Sequence, residues 1–104
     1  MITINGTVGA NGKCTVSGSA IETQANTALK IAFENKTSGS GTNLGLFAGT
    51  EAEFASGSGG TLLGSAGSGF QFLTIIDADK LSGKIIFVRR EVGAADSPFT
   101  LTVE

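Results

Sequence analysis

The sequence predicts an all-β protein, an antiparallel β-sandwich of about seven or eight short strands in immunoglobulin-like or jelly-roll form. Three observations predict it. Apolar residues recur with a period of two along much of the chain, the pattern of strands with one buried face. Sixteen glycines against a single proline punctuate those runs at turn spacing. With 104 residues, 40% hydrophobic and 15% charged, the chain is one globular domain over 1–104, large enough to bury a core without disulfides or metals.

The elements follow in order. Ile2, Ile4 and Val8 share one parity, with Thr3, Asn5 and Thr7 on the other, and Asn11-Gly12 supplies residues that tolerate positive φ in a tight turn. Cys14-Thr15-Val16-Ser17 resumes the alternation towards Ile21, so residues 2–9 and 13–21 are expected to form a β-hairpin. Residues 22–28 are polar and read as a loop or one helical turn. Leu29, Ile31 and Phe33 alternate with Lys30, Ala32 and Glu34, and 37–42 is a Ser/Gly-rich connection. Two further strands are expected at Asn43–Ala48 and Glu51–Ala55. The segment Ser56–Gly69 is either a linker or a short strand centred on Leu62-Leu63.

From Gly69 the character changes. Phe70–Ile76 and Ile85–Val88 are apolar on both parities, which suits strands covered on both faces. They are expected to form the central hairpin of 69–88, joined through the turn-rich 77–83, with Gly83 in a left-handed conformation and Leu81 returning to the core. Pro98 precedes a last strand with Phe99, Leu101 and Val103 facing in. No internal repeat of constant period is found.

The residue inventory narrows the chemistry. The chain has no His, Tyr or Trp and a single Cys, Cys14. Histidine acid–base catalysis, Ser-His-Asp and Cys-His arrangements and the usual zinc sites therefore have no residues to build them. Cys14 reads as a small buried hydrophobe with no intrachain disulfide partner. Gly12-Lys13 and Gly83-Lys84 lack the hydroxyl residue of a phosphate loop. Asp77 and Asp79 would offer oxygens to Ca2+, and an ordinary solvated turn is the competing account. Glu51 and Glu53 read as edge-strand charges, with a cation site or carboxylate pair as the alternative. Asn5-Gly-Thr7 and Asn35-Lys-Thr37 match the N-glycosylation triplet.

Net charge is −2, and Arg89-Arg90 is the only basic doublet, so nothing marks a nucleic-acid partner. No run approaches the ~20 apolar residues of a membrane span. No signal peptide is recognisable, which fits a cytoplasmic protein or a mature secreted or surface protein without its leader.

Ile4-Asn-Gly-Thr-Val8 followed by Cys14-Thr-Val16 resembles the opening strands of chaperone–usher fimbrial subunits, as do the apolar strand ending in Asp77 and the alternating last strand. The resemblance implies an immunoglobulin-like sandwich completed by a strand from a neighbour. That family's disulfide partner and C-terminal tyrosine have no counterpart here.

The expected function is therefore a non-catalytic structural or self-assembling β-module of pilus, coat or decoration type, partnered by protein, including itself. Phe70, Phe72, Ile75, Ile86 and Val88 are the candidate interaction residues. The alternative is a small recognition domain, for glycans or as an inhibitor, that uses its Gly-rich loops with or without Ca2+. No other cofactor is expected.

Overall fold

The computed structural model describes residues 2–15, 28–39, 41–77, 84–93 and 96–103. Eight strands and one short helix follow in order: β1 (Ile2–Val8), β2 (Lys13–Thr15), β3 (Ala28–Asn35), β4 (Asn43–Gly49), α1 (Glu51–Ser56), β5 (Thr61–Gly67), β6 (Gln71–Asp77), β7 (Ile85–Val92) and β8 (Ser97–Val103). They form two four-stranded sheets, β1-β8-β3-β6 (sheet A) and β2-β7-β4-β5 (sheet B), with every pairing antiparallel.

The pairs are nested: β1 with β8, β2 with β7, β3 with β6, and β4 with β5. The chain is thus one long hairpin rolled into two layers and closed by the β3–β8 and β4–β7 ladders. This is the jelly-roll member of the two expected sandwiches; an immunoglobulin-like order would set β1 beside β2.

The expected hairpin of 2–9 with 13–21 is corrected on this point. A turn does form, with the Gly12 amide donating to the Gly9 carbonyl (3.0 Å) and Gly12 at φ 77°. It is a corner between sheets. Arg90 on β7 is the physical reason. Its guanidinium donates to the carbonyls of Val8 and Gly9 (2.8 Å each) and to Ser97 Oγ (3.1 Å). Its own amide donates to the Gly12 carbonyl (2.8 Å). Carbonyls that a hairpin would have used are committed to a residue 82 positions away. The expected continuation to Ile21 and residues 22–27 lie outside the described residues.

The core lies between the sheets. Leu29, Ile31 and Phe33 of β3 meet Leu44 and Leu46 of β4, Ile86 and Val88 of β7, and Phe99, Leu101 and Val103 of β8. Period-2 reading placed these faces correctly on β3 and β8, whose alternation is strict. Phe33 sits between Phe72 and Phe99, with ring centroids 5.4 and 5.5 Å away. Cys14 is a half-buried free thiol packed against this core.

Residues 70–76 and 85–88 do not form a central hairpin. β6 is the edge of sheet A against β3, whereas β7 lies inside sheet B between β2 and β4. Period-2 patterning assigns faces within a strand but carries no information about its neighbour, and the nested topology sends these two to opposite layers. Asp79, Leu81 and Gly83 lie outside the described residues. Ser56–Gly69 contains strand β5, whose pairing with β4 slips between Leu46 and Phe47.

The strand expected at Glu51–Ala55 is a helix instead. Thr50 Oγ1 accepts from the Glu53 amide (3.1 Å) and Glu53 Oε1 accepts from the Thr50 amide (2.9 Å), a reciprocal capping box that fixes the helix start. Gly57 at φ 74° ends it. The helix thereby turns Phe54 back onto sheet B.

Candidate interaction surface

Each sheet has an outer face, and the two are finished differently. On sheet B, β7 carries Phe87 outward, opposite Phe47 of β4. Phe87 is 1% exposed because α1 lies over it. The Phe47 and Phe87 rings stack at 5.6 Å, Phe54 meets Phe87 edge-on at 5.5 Å, and the Arg89 guanidinium lies 4.1 Å from the Phe47 ring centre. Arg89 also donates to the Gly59 carbonyl (3.1 Å), and Lys13 Nζ donates to the Ala55 carbonyl at the helix end. The apolar run Ile85–Val88 is therefore covered on both faces from within the chain, by the core below and by α1 above.

Glu53 ties this cover down. Besides its cap, its Oε2 accepts from the Gly60 amide (2.7 Å). The amides of Thr50 and then Gly60 hold its carboxyl below the usual carboxylate range. The contact is thus present above the ordinary carboxylate pKa and is lost as pH falls through the lowered one. Accordingly, Glu53→Gln should lower Tm at neutral pH, and the difference from wild type should shrink on acidification. A difference that stays constant from neutral to acid pH, followed by circular dichroism, would contradict this role.

The outer face of sheet A has no such cover among the described residues. Thr3, Asn5 and Thr7 on β1 and Thr100 and Thr102 on β8 make it polar on one side, with Thr100 Oγ1 donating to Asn5 Oδ1 (2.8 Å). Towards β6 it turns apolar. Leu73 is 83% exposed and Ile75 66% exposed, beside Ala32 and Lys30 of β3 respectively. Lys30, Ala32, Leu73, Ile75 and Thr102 line a groove of about 250 Å³. Phe70, 71% exposed, immediately precedes that strand.

β6 is also a regular edge. It keeps register with β3 over seven consecutive pairs, Ala28↔Asp77 through Glu34↔Gln71. Its residues 71–76 include no charge, proline or bulge, the devices that ordinarily protect an edge. The edge of sheet B at β5, by contrast, is broken by its register slip. The other large exposed apolar residues among those described, Leu62 and Val92, lie at opposite ends of sheet B, against Phe47 and Asn43.

Of the five residues expected to make contacts, only Phe70 and Ile75 are exposed. Ile86 and Val88 are core residues and Phe72 packs half-buried against the core, because each has the inward parity of its strand. Leu73 escaped the sequence reading, although it shares the parity of Ile75. Asp77 is exposed at the end of β6, and Asp79 lies outside the described residues. Glu51 is exposed on α1 and Glu53 belongs to the cap, so they form no carboxylate pair on a strand face. Among the described residues no group of three or more His, Cys, Asp and Glu side chains gathers, and no helix is long and apolar enough to cross a membrane.

No protein family profile matches the chain, and no curated protein matches it. Among solved structures it is similar to the infectious bursal disease virus VP2 subviral particle, at 12% identity and a TM-score of 0.34 over 96% of this chain. It is also similar to a structure of infectious bursal disease virus strain Gx, at 17% identity and a TM-score of 0.26 over 97% of the chain. The chain spans about 30% of the length of either.

Proposed function

We propose that the protein is a non-catalytic structural β-module that builds an assembly by docking the bare apolar side of sheet A, with β6 foremost, onto protein. The observation that carries this reading is the contrast between its two outer faces. Apolar residues facing outward on β7 are roofed by α1, whereas Leu73 and Ile75 on β6 face outward beside a sheet edge that is unpaired among the described residues. Exposing two large aliphatic side chains together on a regular edge invites pairing, and folded proteins tolerate this arrangement where a partner covers it. The residue inventory supports a non-catalytic role, since His is absent and the one Cys packs against the core.

The test is solution mass against concentration. The wild-type protein should exceed its 10.4 kDa monomer mass progressively as concentration rises. A Leu73→Lys/Ile75→Lys variant should remain monomeric over the same range with Tm within a few degrees of wild type, because both side chains project into solvent. Wild-type protein that stays monomeric at high concentration would end this reading. So would association that survives the double substitution, since it would then use another surface.

A further inference from the structure

We infer that the occupant of this surface is a second copy of the chain, joined edge to edge through β6 in antiparallel register about a twofold axis at Leu73. The inference rests on the docking reading above and adds the partner and the register.

The backbone supplies the first half of the argument. The Asn35 amide donates to the Phe70 carbonyl (3.0 Å), which therefore points towards β3, while the Phe70 amide donates to the Gly67 carbonyl (2.9 Å) in the preceding turn. Alternation along an antiparallel strand then aims the amides and carbonyls of Phe72, Thr74 and Ile76 towards β3 as well, and those of Gln71, Leu73 and Ile75 out of the sheet edge. The residues whose amides and carbonyls face outward are also those whose side chains lie on the bare face. An approaching strand would therefore receive hydrogen bonds and apolar contact from the same residues, the geometry of β-strand addition.

Charge supplies the second half, because it selects both the partner and the register. Behind β6, the β3 side chains stand in fixed rows, with Lys30 beside Ile75, Ala32 beside Leu73 and Glu34 beside Gln71. A twofold axis can pass through Leu73, Thr74 or Ile75 while keeping the apolar residues paired on one face. An axis at Ile75 sets Lys30 in one row with the partner's Lys30 and presses Leu73 against the partner's Asp77. An axis at Thr74 puts Glu34 in one row with the partner's Asp77, with only Gln71 between them. An axis at Leu73 instead gives the row Lys30, Ile75, the partner's Gln71, the partner's Glu34, and by symmetry the same row again. Opposite charges then close both flanks of a Leu73–Leu73 centre.

Three strand spacings, about 14 Å, separate the two charged positions in such a row. Lys30 laid over Ile75 and the partner's Glu34 laid over its own Gln71 span that distance, each covering apolar stem as it reaches. The product is a single eight-stranded sheet made of two copies of sheet A. Its contact is isologous, so assembly closes at the dimer and does not run on into a fibre.

Charge reversal tests this directly. Lys30→Glu and Glu34→Lys should each weaken dimerisation by about tenfold or more, since each replaces two attractive rows with two repulsive ones. The double variant Lys30→Glu/Glu34→Lys should return the dissociation constant to near the wild-type value, because it restores opposite charges between copies. Sedimentation of all four proteins reads this out, with circular dichroism confirming that each is folded. Singles that leave dimerisation unchanged, or a double that fails to recover, would overturn the register. If Leu73→Lys/Ile75→Lys still abolished association in that case, the docking reading would stand without it. A wild-type protein that remains monomeric overturns both.

Discussion

Replacing Phe87 by alanine should destabilise the fold by about 3–5 kcal/mol, the range for truncating a buried phenylalanine. That is a large share of the roughly 5–15 kcal/mol that holds a domain of this size together. The residue points away from the main core, so sheet patterning alone would rank it as a surface position. Its burial comes from α1, the Phe47 stack and the Phe54 edge contact. Truncation removes the post on which the helix rests and leaves the Phe47 ring and the Arg89 guanidinium without their neighbour. Urea unfolding should report it, followed by far-ultraviolet circular dichroism because the chain has no Trp or Tyr to give a fluorescence signal. Hydrogen exchange should show the α1 amides losing protection before those of β4. A loss below about 1 kcal/mol would mean that the outer layer is ornamental.

Gly93→Ala should cost about 3 kcal/mol or more, although Gly93 is exposed. Its φ of 118° is a conformation that residues with a Cβ rarely adopt. The added methyl would also stand 2.6 Å from Thr42 Cα and 2.5 Å from Thr42 Oγ1. Thr42 cannot step aside. Its amide donates to Ser68 Oγ (3.1 Å), its carbonyl accepts from Ser68 Oγ and from the buried Asn35 Nδ2 (3.2 Å each), and it is itself buried. Strain and overlap therefore add at one position. The same substitution at Gly39, whose φ of 82° is also left-handed but which has open space around it, should cost less. Comparing the two Tm values separates overlap from strain, and equal losses would refute the part assigned to Thr42.

What the sequence disclosed follows from what each signal physically encodes. Alternation encodes faces, so Phe99, Leu101 and Val103 could be assigned inward from residue order alone, as could Leu29, Ile31 and Phe33. It does not encode pairing, and so the two most apolar strands were expected to pair while the roll placed them in separate sheets. Local chemistry competed with pattern at 50–54. There Glu51, Ala52, Glu53 and Phe54 alternate like a strand, yet Thr50 and Glu53 carry a capping box legible at the same positions. The corner after Val8 was invisible, because Arg90 makes it from the far end of the chain. The interaction surface was half legible. A run apolar on both parities announces two covered faces, but one such run is roofed by α1 and the outer face of the other has no cover among the described residues.

The nested order of strands also orders events in time. Of the nested pairs only β4 and β5 are consecutive strands, and even they flank α1; β3–β6, β2–β7 and β1–β8 each enclose the pair inside them. Loop closure is cheapest where the intervening chain is already compact. Each pair therefore becomes easy to form once the one inside it exists, and β1 meets β8 last. Until then β8 has an open side, so the half-folded chain offers a second strand for a neighbour to capture.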